Sequence, residues 1–114
     1  MSKFKEAVGK LELEVGGIAF SFVPEVDDSF DFLELYKEGV ENKDLVRRFH
    51  PWLVSFVNRY EKLEEGSEEY EDLRKFLAVN IMKFFIEFGV AFRLFEREDL
   101  ERRAKDFQGA QARN

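Results

Sequence analysis

The chain has 114 residues with one histidine and no cysteine, and its 18 basic against 24 acidic side chains give a formal net charge of −6. This inventory excludes disulfides, thiol nucleophiles and the usual zinc sites, and the acidic balance argues against nucleic acid as a partner. Because 45% of the residues are apolar, we expect one folded domain, at residues 1–108, followed by a disordered tail at 109–114.

Residues 11–22 have the alternating pattern of a β-hairpin centred on Gly16 and Gly17. Two glycines suit the positive φ angles of a tight turn, and Pro24 ends the second strand because it has no N–H for the ladder. The pattern predicts the cross-strand pairs Leu11–Phe22, Leu13–Phe20 and Val15–Ile18, with Glu12, Glu14, Ala19 and Ser21 on the other face. An isolated hairpin is marginally stable, so helices or another subunit's strands must cover its apolar face.

A short helix is expected after the hairpin. Asp27, Asp28 and Ser29 supply capping side chains, which predicts a helix from about Ser29 to Glu38 that ends near Gly39. These acids lack the spacing of a calcium-binding loop, so we interpret them as caps and not as metal ligands.

A longer amphipathic helix follows, with Asn42 as its candidate cap. Its single apolar stripe consists of Leu45, Phe49, Trp52, Leu53, Phe56, Tyr60 and Leu63. Pro51 interrupts the helix and predicts a kink or a break, since proline removes one backbone hydrogen bond. The neighbouring His50 is expected to pack at a helix end.

The segment from Glu61 to Asp72 is strongly acidic. Gly66 and Ser67 mark a turn, and Ser67 is expected to cap the next helix. Acidic residues in a first turn are favoured by the helix dipole, so a solvated helix start is the simpler interpretation. The alternative is a docking site for a basic partner, formed by Glu64, Glu65, Glu68 and Glu69.

Residues Phe76 to Phe95 form a mostly apolar run, which predicts one central helix. Lys83 and Glu87 lie one turn apart within it, which favours an ion pair and argues against a membrane span. Because the helix is apolar on nearly all sides, the other elements must wrap it or part of it must contact another subunit. We assign self-association or client contact to Phe84, Phe85, Phe88 and Phe92.

These elements predict a mainly α-helical α+β fold, in which an N-terminal β-hairpin packs on a small bundle of about four helices. The sequence has no candidate nucleophile with a neighbouring base and no phosphate-binding loop. We therefore expect no enzymatic activity, no cofactor and no metal. The first residues lack the pattern of a secretory signal, which predicts a cytoplasmic protein.

The order of these parts resembles the small tail assembly chaperones of long-tailed bacteriophages and related proviruses. The resemblance covers roughly Lys10 to Arg103 and includes segments such as the LELEVGGIAF stretch at residues 11–20. It implies a non-enzymatic, multi-copy protein that coats the helical tape measure protein until tail tube subunits polymerise around it. Its partners would be further copies of itself and a client with amphipathic helices, with neither nucleic acid nor membrane involved.

A second hypothesis is a homo-oligomeric structural or regulatory interaction module. In that case the hairpin strands pair across subunits, and the acidic segment between Glu61 and Asp72 docks a basic partner.

Overall fold

A computed structural model of the chain describes residues 10–92. Its elements are strands β1 (Leu11–Val15) and β2 (Ile18–Phe22) and helices α1 (Val26–Asn42), α2 (Leu45–Glu61), α3 (Glu68–Val79) and α4 (Ile81–Ala91). Helix α2 packs against α1, α3 and α4, and β1 packs against α4. The predicted fold class, an N-terminal hairpin on a bundle of four helices, is confirmed. The charged segment after Phe95 and the tail at 109–114 lie outside the described residues.

The hairpin has the predicted register. Strands β1 and β2 are antiparallel and pair Leu11 with Phe22, Leu13 with Phe20 and Val15 with Ile18. Gly16 and Gly17 have φ angles of 59° and 81°, as the two-residue turn requires. Five of the six apolar side chains predicted to share a face are buried, whereas Ile18 at the tip is 49% exposed.

Helix α1 begins earlier and ends later than the predicted Ser29–Glu38. It begins after Glu25, whose N–H donates to Oδ2 of Asp28 at 2.7 Å, so Asp28 lies inside the first turn. It continues through Gly39 to Asn42, and the glycine lets α2 approach α1 closely. A Cβ at Gly39 would lie 2.7 Å from the Cα of Leu45.

Asp28 is also the acceptor of an ion pair that joins α1 to the end of α2. Its side chain is 7% exposed, and the Arg59 guanidinium donates to its two oxygens at 3.0 and 2.8 Å. The hydrogen bond to Asp28 raises the pKa of Arg59 above its ordinary value. Asp28 therefore fixes the position of α1 against α2, beyond the capping role expected from the sequence.

Helix α2 differs from the prediction at Asn42, and of the kink or break predicted at Pro51 it does not show the break. Asn42 is the last residue of α1, and Asp44 precedes the first turn of α2. The helix continues through Pro51, which is exposed, so water can solvate the carbonyl that proline leaves without a donor. His50 lies inside α2 and not at its end, and its Nε2 donates to the Arg74 carbonyl of α3 at 2.9 Å.

The predicted helix from Phe76 to Phe95 is divided in the structure by a turn at Asn80. The carbonyl of Phe76 accepts from both the N–H and the side-chain amide of Asn80, at 3.1 and 3.0 Å. The N–H bond continues the helical pattern, whereas the side-chain bond to the same carbonyl is the competing interaction that asparagine commonly makes in a helix. Ser67 caps α3 as predicted, its hydroxyl accepting from the Tyr70 N–H at 3.1 Å.

The core is built largely from phenylalanine rings. Phe88 lies at its centre, fully buried. Its ring centroid lies within 6.4 Å of those of Phe22, Phe32, Phe49, Trp52, Phe56, Phe84 and Phe92. Most of these pairs have tilted or edge-to-face geometry, which aromatic quadrupoles favour. A single ring of α4 thus joins the hairpin, α1 and α2.

Candidate functional site

The structure places three of the four phenylalanines assigned to an interface inside the core. Phe84 and Phe88 are fully buried, and Phe85 is 8% exposed. Phe92, in the turn after α4, is half-buried and its ring lies 5.3 Å from that of Phe32. The hairpin, α1 and α2 thus cover the apolar sides of α4, and Phe84 and Phe88 offer no contact surface in this conformation.

An apolar groove lies where the end of α1, the start of α2 and the first turns of α4 meet. Its volume is about 640 Å³, within the range of roughly 300–1,000 Å³ that is typical of ligand pockets. Its lining is mainly apolar and comprises Gly39, Val40, Leu45, Val46, Met82 and Phe85, with Lys43, Asp44 and Arg47 at the rim. Of the four predicted phenylalanines, only Phe85 is among these lining residues.

The turn between α1 and α2 shapes the groove. Lys43 has a left-handed φ of 59°, its N–H donates to the Val40 carbonyl at 3.4 Å, and the Asp44 N–H donates to the Gly39 carbonyl at 3.0 Å. This pairing is the Schellman end of an α-helix. It reverses the chain sharply enough that Val40 and Val46 remain on the surface, 53% and 48% exposed.

The rim of the groove is positively charged although the protein is acidic. Asp44 accepts from Arg48 at 2.6 Å, and Arg48 also binds Glu38 at 3.0 Å, so these charges are compensated locally. Hydrogen bonding to Asp44 raises the pKa of Arg48. Lys43 and Arg47 form no ion pair with another described residue. They therefore place two basic groups without ion pairs beside the apolar lining.

The four glutamates of the alternative docking site lie near the other end of α2. Glu64 and Glu65 are in the turn that follows it, and Glu68 and Glu69 begin α3. All four are exposed, and none forms an ion pair with another described residue. These carboxylates are therefore exposed at the turn after α2 and in the first turn of α3, and their role as a docking site stays a prediction.

Other candidate polar positions have structural partners. Lys83 and Glu87 form the predicted intrahelical ion pair, with Nζ 3.9 Å from Oε1.

Among residues 10–92, no three histidine, aspartate or glutamate side chains are arranged to hold a metal ion. Every buried side-chain nitrogen or oxygen in that range has a hydrogen-bond partner. None of the helices described is both long and apolar enough to cross a bilayer.

Sequence reasoning missed most of the groove. Val46 lies off the apolar stripe of α2, and Met82 lies beside the predicted apolar face of α4. The helical spacing of apolar residues therefore did not indicate either residue. The available signal was a pair of valines, Val40 and Val46, that flank a polar turn and lie outside the apolar stripe of α2. Their meeting with Met82 depends on how α1 and α4 converge, which is a tertiary property.

Comparison of the chain with protein-family models, curated proteins and solved structures gave no significant match. The groove and the charges around it are therefore the features that bear on function.

Proposed function

We propose that this chain is a non-enzymatic, oligomeric assembly chaperone that holds an apolar helical segment of a protein client in the groove between α1, α2 and α4. The observation that supports this proposal is an apolar groove with two exposed valines in its walls, Val40 and Val46. An amphipathic helix that lays its apolar face into such a groove is a recurring mode of peptide recognition.

The charges at the groove define the chemistry of the client. Lys43 and Arg47 lie at the rim without acidic partners among the described residues. An acidic side chain beside the apolar face of a bound helix would pair with them, whereas a lysine would be repelled. The preferred client segment therefore has an apolar stripe flanked by glutamate or aspartate.

The resemblance to small tail assembly chaperones of long-tailed bacteriophages supports a more specific form of this proposal. In that form, the client is the helical tape measure protein, and the chaperone keeps it soluble in the cytoplasm of the host cell. Several copies act on one client, each covering an apolar segment.

Two synthetic peptides test the preference for the client. Both have about 18 residues, or five helical turns, and the same leucine stripe, but one has glutamate and the other lysine beside that stripe. Calorimetric titration of the full chain should show tighter binding of the glutamate peptide at low salt, with the difference shrinking at high salt because screening weakens rim charges. Equal binding at low salt would contradict the assigned role of Lys43 and Arg47.

A pair of valine substitutions tests the groove itself. Val46 and Val26 both lie exposed in the first turn of a helix, where an added acid is tolerated, but only Val46 lines the groove. Val46→Asp should weaken peptide binding at least about tenfold, a loss of about 1.4 kcal/mol, while Val26→Asp should not change it. If the two variants bind equally well, the client contacts another surface.

The second candidate function is an interaction module that docks a basic partner on the acidic surface. Its support is the set of exposed carboxylates without ion-pair partners: Glu64, Glu65, Glu68 and Glu69.

A pull-down separates the two functions. Recovery of long polypeptides with apolar helices supports the chaperone, whereas one basic globular protein that is released at moderate salt supports the docking module.

A further inference from the structure

The outer edge of β2 has backbone groups that the chain leaves without partners. At the end of this edge, the Val23 N–H donates to the Tyr60 hydroxyl at 2.9 Å, and this hydroxyl donates to the Val23 carbonyl at 3.1 Å. Alternate residues of an antiparallel strand direct their backbone groups to the same side. Ala19 and Ser21, in step with Val23, therefore direct N–H and C=O outward, and these groups bond to no other described residue.

The two edges of the hairpin differ in charge. The corresponding outward positions of β1 are Glu12 and Glu14, whereas β2 has the uncharged sequence IAFSF. Charged side chains on an edge strand oppose pairing with another strand, and small uncharged side chains do not. Two copies that paired through β1 would bring glutamates together across the interface, so only the β2 edge is suited to self-pairing.

We propose that β2 pairs antiparallel with β2 of a second copy of this chain, around a two-fold axis at Phe20. In this register Ala19 of each copy lies opposite Ser21 of the other. Every outward N–H of these two residues then meets an outward C=O of the second copy, and the two hairpins form one continuous sheet. The contact is self-complementary, as a two-fold interface requires.

Tyr60 selects this register. Shifting the pairing so that Ser21 faces Ser21 would require the backbone groups of Val23, which the Tyr60 hydroxyl already occupies. The opposite shift would pair Ser21 with Gly17, whose φ of 81° belongs to the turn. The register centred on Phe20 is the one that uses both open positions and displaces neither feature.

The same register explains the exposure of Ile18. Ile18 is 49% exposed, although its neighbours on the apolar face of the hairpin are buried. Centring the pairing on Phe20 sets Ile18 opposite Phe22 of the second copy, on the face that the helices cover. Neighbours across a strand pair shield each other from water, so a second copy at this edge reduces the exposure of Ile18, whereas Phe22 is already buried by its own chain.

Proline substitution on the two edges tests the proposal. Ser21→Pro removes an outward N–H and leaves the ladder to β1 intact, whereas Glu12→Pro makes the same change on the opposite edge. Light scattering should give twice the monomer mass of 13.5 kDa for the full chain and for Glu12→Pro, and the monomer mass for a folded Ser21→Pro. A monomeric full chain, a dimeric Ser21→Pro or a monomeric, folded Glu12→Pro would overturn it.

Cysteine pairing tests the register even if a proline variant fails to fold. The chain has no cysteine, so Ala19→Cys and Ser21→Cys each introduce a single thiol. Directly opposed residues have Cα atoms about 5.5 Å apart, within disulfide range, whereas two copies of the same variant place their thiols diagonally. When equal amounts of the two proteins are mixed and oxidised, mass spectrometry should show the mixed disulfide well above about half of the product, which is its share under random pairing. The random 1:2:1 ratio of the three disulfides would contradict the register. Both tests leave the groove unchanged, so peptide binding by Ser21→Pro is measured independently of dimerisation.

Discussion

Asp28 shows how one side chain serves two elements. It accepts from the Glu25 N–H at the start of α1 and from both terminal nitrogens of Arg59 in α2. The sequence marked Asp28 as a capping residue, which local spacing can indicate. Its partner Arg59 lies 31 residues away, so no local pattern could reveal the ion pair.

Replacing Asp28 by asparagine tests the value of this contact. Asp28→Asn removes the charge but keeps the shape, and we expect the free energy of unfolding to fall by about 2 kcal/mol, because hydrogen bonds to charged groups contribute about 1.5–3 kcal/mol. Urea unfolding followed by circular dichroism measures the loss. Asp27→Asn is the matched control, since Asp27 is exposed in the same turn, and it should cost no more than about 0.5 kcal/mol. Equal losses in both variants would show that the Arg59 contact adds nothing.

Lys62 ends α2 in a left-handed conformation with a φ of 56°. A residue with a Cβ is strained there, whereas glycine is not, so Lys62→Gly should raise the free energy of unfolding by about 1 kcal/mol. Lys62→Ala provides the control, because alanine retains the Cβ and should give no gain. A gain in both variants would assign the effect to removal of the lysine side chain.

At the scale of whole elements, Pro51 lies inside a continuous helix, so α2 does not break there. Proline in a helix interior costs roughly 3 kcal/mol, yet α2 continues through it because the site is exposed and the helix is anchored by buried residues before and after it, such as Phe49 and Leu53. Pro51→Ala should therefore raise the free energy of unfolding by about 2 kcal/mol, less than the full value because water solvates the unpaired carbonyl. Thermal and urea unfolding measure the change. Pro24→Ala, outside any helix, should show no such gain, and an unchanged Pro51→Ala would mean that α2 is already relaxed around the ring.

Asn80 shows the limit of periodicity within an apolar run. The spacing of Leu77, Phe84 and Phe88 fits one uninterrupted helix, and that prediction was wrong at a single residue. Asparagine is tolerated in helices but also bonds to nearby carbonyls, and only the tertiary packing of α3 and α4 decides between these states. The hairpin was more predictable, because the Gly16–Gly17 turn fixes its register locally.

For the whole molecule, stability depends on the ring cluster around Phe88. Phe88→Ala should lower the free energy of unfolding by about 3–5 kcal/mol, a large part of the roughly 5–15 kcal/mol that such a domain has. We expect an unfolded or non-cooperative protein by urea titration. Phe30→Ala provides the control, since Phe30 is 64% exposed, and it should change stability by less than about 0.5 kcal/mol. A cooperative Phe88→Ala protein with nearly full stability would show that the cluster repacks around the cavity.

The fold class followed from the sequence, and the groove did not. Alternation, apolar stripes and turn residues determine which elements form, and these patterns are local. Val40, Val46 and Met82 come together only when α1, α2 and α4 assume their final angles. The complete burial of Phe84 and Phe88 was not predictable for the same reason, because it depends on elements distant in sequence.

Trp52 gives the protein an internal optical reporter. It is the chain's only tryptophan, and its indole stacks on Phe56 at 5.3 Å and meets the Phe88 ring edge-on at 5.8 Å. The hairpin has no tryptophan, and its Phe22 ring contacts Phe56 and Phe88 of this cluster. Indole emission therefore follows separation of the helices. If the urea midpoint of this emission is higher than the midpoint of a β-strand signal, the hairpin detaches in a state in which the helical bundle stays closed.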